Sequence, residues 1–140
     1  MKKTKWTLIL ALMVVTSFSL YAQKPADLAG TWAGEATIEG EADPNVLTLV
    51  LKLEEGKLSG HMTDQYDSMF QAPIEDITLE KGVLGFGVFA GIGSEQMLLK
   101  FTMTLDGDAM KGKLEIPDLG MLGTWEATKQ KESFQSKDKF

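Results

Sequence analysis

His61 is the only histidine in the chain, and there is no cysteine at all. Thiol nucleophiles and thiolate metal sites are therefore excluded. A lone histidine acts as a general base only beside a group it can deprotonate, and no spacing here supplies one. His61 also sits among the polar alternates of its strand, which places it on the outside. Asp64, Asp67, Asp106 and Asp108 raise the question of calcium. Asp106-Gly107-Asp108 lacks the long ligating loop of an EF-hand and reads instead as a hairpin turn. Gly85-Phe86-Gly87 and Gly91-Ile92-Gly93 do not follow the G-x-G-x-x-G spacing, and neither opens a helix. The residue types thus predict no catalytic centre, no metal and no cofactor.

What remains is an apolar stripe, and its period of two predicts strands. Leu28, Gly30, Trp32, Gly34, Ala36 and Ile38 alternate with Ala29, Thr31, Ala33, Glu35, Thr37 and Glu39. Seven more such runs follow. Their apolar faces are Leu47 to Leu53, Leu58 to Met62, Ile77 and Leu79, Leu84 to Val88, Met97 to Leu105, Met110 to Ile116, and Met121 to Ala127. Turn signals separate them at Glu55-Gly56, Lys81-Gly82 and Asp106-Gly107. Leu53, Leu79 and Leu105, which precede these turns, stand 26 residues apart. Gly30-Thr31-Trp32 near the start is echoed by Gly123-Thr124-Trp125 near the end. The expected architecture is all-β, an eight-stranded up-and-down antiparallel meander closing into a small barrel. A two-sheet sandwich is the structural rival. Closure would pair the first and last strands. Setting Leu28 opposite Lys129 then predicts Trp32 opposite Trp125 on one inner face.

In a meander, alternate links lie at the same end. The short glycine turns share one end. The longer links share the other, bringing Tyr66, Met69, Phe70, Ile92 and Leu119 to a mouth. Below it the inward stripe includes Met62, Phe86, Val88, Met97 and Phe101. These ten residues form the candidate lining for a small apolar ligand. The alternatives are that Met69 and Phe70 fold in as a plug, and that the stripe packs solid, its glycines making room for Trp32 and Trp125.

Residues 1–22 read as a signal peptide, with Lys2, Lys3 and Lys5 ahead of an apolar run from Leu8 and a cut expected near Ala22. Residues 23–129 would form the barrel domain, and 130–140 a polar tail. Export to a periplasm or to the exterior is expected. The chain has no arginine. Three of its 14 lysines lie in the leader, which leaves 11 against 20 acidic residues, a net charge of −9. Such a surface argues against nucleic acid and anionic lipid as partners. The terminal Phe140 hints at an outer-membrane barrel, but Lys137-Asp138-Lys139 breaks the required alternation, so no stable membrane insertion is expected.

Gly30-Thr31-Trp32, at the start of the first strand, resembles the G-x-W signature of lipocalin and calycin-like barrels. The resemblance implies an eight-stranded barrel, closed at the end holding the Trp and able to carry a small hydrophobic molecule. It also implies structural roles for Gly30 and Trp32, and a basic side chain after the last strand set against the Trp; the echo in the chain itself points to structural roles for Gly123 and Trp125. In this chain Lys129 or Lys131 stands where the family commonly has Arg. The family's helix after the last strand has no counterpart here. The implied function is non-enzymatic carriage of a small hydrophobic molecule. The other function class is an accessory domain that interacts through its surface.

Overall fold

A strand with one apolar face must bury it, and successive antiparallel hairpins do so with the least connecting chain. In the computed structural model, which describes residues 25–66 and 68–131, this arrangement is realised as one sheet curled into a nearly closed barrel. A single helical turn, α1 (Pro25–Leu28), leads into β1 (Gly30–Ile38), β2 (Asn45–Glu54) and β3 (Lys57–Asp64). Then come β4 (Ala72–Pro73), β5 (Glu75–Glu80), β6 (Val83–Ile92) and β7 (Glu95–Asp106). The chain continues through β8 (Ala109–Ile116), a 3-10 turn (Pro117–Leu119) and β9 (Met121–Lys129). The leader and residues 132–140 lie outside the described residues, and so does the expectation for each.

The fold is the expected antiparallel meander, with nine strands in place of eight. The extra one, β4, has two residues, and only Ile74 separates it from β5. Leu28 belongs to α1, not to the first strand. Two of the expected hairpin turns place both central residues in the left-handed region: φ is 51° at Glu55 and 77° at Gly56, and 51° at Lys81 and 77° at Gly82. That is the turn whose twist matches the flanking strands.

The sheet order is β4-β3-β2-β1-β9-β8-β7-β6-β5. The first and last long strands do pair, but in a register that differs from the expected one. Trp32 lies opposite Lys129, and Ala36 lies opposite Trp125. The shift is four residues, about 13 Å of strand at roughly 3.3 Å per residue. The two indoles therefore occupy different levels of the barrel. The ladder skips Gly34 and Glu35, and the Gly34 carbonyl instead accepts from Trp125 Nε1 at 3.0 Å. A Cβ at Gly34 would lie 1.7 Å from the Glu126 carbonyl oxygen, so only glycine lets β9 come this close. Gly112 is the same case, its absent Cβ lying 1.9 Å from the Thr102 carbonyl oxygen. These inward-stripe glycines leave no space for a ligand, because neighbouring backbone fills it.

The seam of the barrel lies where β3 and β5 fail to pair. Ile74 N–H donates to the Gly60 carbonyl at 3.0 Å, and Gly91 N–H donates to the Ser68 carbonyl at 2.7 Å. The 65–71 link thus straps the gap from above. Below it, the facing edges leave a surface groove that includes Pro25, Leu58, Ile77 and Leu79. β5 carries a register irregularity here, with Asp76 at φ 53°, a distortion that discourages another chain from adding to the edge.

The middle of the barrel is solid. Phe86 stacks on Phe101 at 4.8 Å between centroids, and Phe101 meets Trp125 edge-on at 5.6 Å. Met62, Leu84, Val88 and Met103 are fully buried around them.

Candidate functional site

Three links converge as the meander requires; the expected longer link around Ile92 is instead strand, with β6 and β7 paired as far as Ile92 and Glu95 and joined only by Gly93-Ser94. Glu41 comes from the β1–β2 link, Tyr66, Ser68 and Met69 from the β3–β4 link, Ile92 from the end of β6, and Leu119 from the 3-10 turn before β9. Together they rim a cavity of about 210 Å³ at one end of the barrel. Its walls are Ala36, Leu47, Ala90, Leu99, Leu114 and Ile116. Its exposed lining is mainly apolar.

Four of the ten candidate lining residues reach it: Tyr66, Met69, Ile92 and Leu119. The other six do not. Met62, Phe86, Val88 and Phe101 are core side chains packed below its floor, and Met97 is half-buried on β7 outside the lining. Phe70 points away from the barrel interior, 72% exposed, into an outer groove that it shares with Phe89. The choice between plug and rim thus falls differently on two adjacent residues. Met69, 3% exposed, folds in, and Phe70 turns out.

The residue that holds this arrangement is Asp64, at the end of β3. It is 5% exposed and is the only buried charged side chain among the described residues. Its carboxylate accepts from the Ser68 hydroxyl, from Met69 N–H at 3.0 Å and from Asn45 Nδ2 at 3.2 Å. Asp64 N–H donates back to the Met69 carbonyl at 3.1 Å, so the link is clamped in both directions. Burial by itself pushes the carboxyl up. The hydrogen bonds from Ser68, Met69 and Asn45 outweigh it and hold the group below its ordinary value. Asp64 remains ionised at the edge of an apolar cavity.

By residue type alone, Asp64 raises only the question of calcium. The better signal was parity. Leu58, Gly60 and Met62 face inward, and two residues further along the same face is Asp64. Among the described residues, no group of three metal-ligating side chains comes together. His61 is half-buried on β3, opposite Val50 on one side and Pro73 on the other.

At the opposite end, α1 caps the barrel. Trp32 Nε1 donates to the Leu28 carbonyl at 2.9 Å. Lys129 Nζ donates to the Asp27 carbonyl at 2.8 Å and lies 5.9 Å from the centroid of the Trp32 ring. This is cation–π range. Lys129, one of the two candidates for a basic partner, thus stands against Trp32.

Fold and site define an all-β antiparallel barrel, packed with side chains along its middle, capped by α1 at one end and opening into the mouth cavity at the other. Comparison with family models, curated proteins and solved structures gave no match. No helix among the described residues is long and apolar enough to cross a membrane.

Proposed function

We propose that this chain is an exported, non-enzymatic, lipocalin-like barrel that binds a small, compact apolar molecule in its mouth cavity. The observation that carries the reading is the convergence of the β1–β2, β3–β4 and β8–β9 links and the end of β6 on one largely apolar space. The cavity size sets the scale of the ligand. About 210 Å³ exceeds the roughly 150 Å³ that admits benzene, but lies below the roughly 300–1,000 Å³ of drug-sized sites. A single ring or a short chain fits; a whole fatty acid does not. Export rests on the basic, then apolar, character of residues 2–22, and N-terminal sequencing of exported material should begin close to Gln23. A barrel without a thiol or a nucleophile–base pair fits carriage or sensing better than turnover.

Titration with toluene, followed by NMR of the methyl groups of Ile92, Leu119 and Met121, tests binding. Saturable shifts at these methyls are expected, and they should vanish in Ala90→Leu, which fills the cavity. The solid middle of the barrel favours a second reading, an accessory domain with no small-molecule ligand that interacts through its outer surface. Absence of saturable shifts would leave that reading in place of the first.

A further inference from the structure

The polar edge of the mouth cavity is unbalanced. Asn45 Nδ2 is committed to Asp64, which fixes the other amide atom, Oδ1, as an acceptor. Oδ1 is buried, and no donor among the described residues reaches it. A buried acceptor without a donor costs roughly 1–3 kcal/mol. Asn45 lines the cavity, and a small turn of its amide would bring Oδ1 within reach of a donor on what enters. Asp64 adds a second demand. A carboxylate offers about four acceptor positions, and Asn45, Met69 and both the hydroxyl and the backbone N–H of Ser68 donate to it. All of these donors are neutral and no cation contributes to the balance that sets its ionisation, so what the carboxylate lacks is a countercharge rather than a hydrogen bond. Glu41 adds a further carboxylate at the rim, and no lysine lines the cavity.

We propose that the mouth cavity selects small molecules bearing a protonated amine on a compact apolar body, with the ammonium donating to Asn45 Oδ1 and lying beside the Asp64 carboxylate as its countercharge. The inference rests on the mouth-binding reading above and sharpens it. An ammonium has several donors and a positive charge, so one group answers both the empty acceptor and the unpaired anion. A hydroxyl supplies one donor and no charge. A carboxylate supplies neither and would face Asp64 and Glu41. The apolar walls leave room for a body about the size of one ring.

Benzylamine, benzyl alcohol and benzoate share that body and differ at the polar end. An alkylamine of basicity like that of lysine is charged at pH 7. Calorimetric or NMR titration at pH 7 should rank benzylamine about tenfold or more above benzyl alcohol, with no saturable binding of benzoate. Asp64→Asn should bring the amine-to-alcohol ratio close to one. Because Asp64 also clamps its link, Asn45→Leu serves as the second variant: it leaves the Ser68 and Met69 donors on Asp64, and it should cut the ratio several-fold. Equal binding of amine and alcohol by the unmodified protein, or tighter binding of benzoate, would overturn amine selection while leaving the mouth site standing. Failure of toluene, amine and alcohol alike to bind would overturn both.

Discussion

The two ends of this barrel solve the same problem in different ways. Each must bury a polar atom where the strands run out. At the capped end the atom is the Trp32 indole N–H, and one backbone carbonyl of α1 satisfies it completely. The ring fills the space beneath, and Lys129 covers it. At the mouth the atom is a carboxylate, and donors from the β3–β4 link and from Asn45 at the start of β2 gather around it. The first arrangement is apolar, local and closed. The second is charged, draws together residues 19 positions apart, and leaves an acceptor over. A Trp with one partner makes a lid. An Asp that needs several partners makes a rim, because those partners must come from chain that spans the opening. The end that serves stability and the proposed binding end thus lie a barrel's length apart.

Substitutions at the two ends should separate in the same way. Trp32→Ala should have the largest effect, about 3–5 kcal/mol, because it empties a fully buried indole site. For a domain of this size that lowers Tm by more than about 10 °C, measurable by thermal unfolding; a loss under about 1 kcal/mol would show that the cap is not the structural end. Asp64→Ala should cost less, roughly 1–3 kcal/mol for the donors it strands. Its signature is local: hydrogen exchange should accelerate at Met69 and Gly91 before the amides of β7. Equal acceleration in both places would erase the distinction between rim and core.

Asp64 also gives the mouth a pH response. Its folded value lies below that of the unfolded chain. Its contribution is therefore fully present above the ordinary carboxyl value of about 3.9. It is lost as pH falls through the lower folded value. Acid titration followed at the Met69 and Gly91 amides should show the mouth opening in that range while the Trp32 indole signal holds. Simultaneous loss of both signals would mean the ends are coupled.

Lys129→Met should cost about 0.5–1 kcal/mol, the usual strength of an exposed cation–π contact, read by chemical denaturation. Phe70→Ser should have the smallest effect. Its ring is largely exposed and lies outside the cavity, so stability should change by no more than about 0.5 kcal/mol and toluene affinity should not change. A clear loss of affinity would return Phe70 to the mouth.

Much of this was legible without coordinates. Period two in Leu47 to Leu53 and in Met97 to Leu105 assigns both strands and their inner faces, since side chains alternate strictly. Glu55-Gly56 and Lys81-Gly82 mark hairpins because few sequences tolerate two successive left-handed residues. From strands and hairpins alone, counting links separates a tight end from an open one. The lining was legible only at its rim. Tyr66, Met69, Ile92 and Leu119 follow from the link count, whereas the depth at which packing stops cannot be counted.

What the sequence could not decide follows from the same alternation. A slip of one residue would turn every inward side chain outward, so parity is strongly specified. A slip of four preserves parity. Pairing Trp32 with Trp125 or with Lys129 therefore satisfies the pattern equally, and only packing of the whole barrel chose the second. The close approach of β9 to Gly34 and the seam between β3 and β5 are likewise outcomes of curling the sheet. So is the mouth site. Asn45 and Asp64 lie 19 residues apart, and nothing in their spacing joins them: Asn45 reads as a turn residue and Asp64 as one of several scattered aspartates. Their chemistry begins when β2 and β3 run side by side into an apolar mouth, where burial makes one carboxylate and one amide oxygen matter.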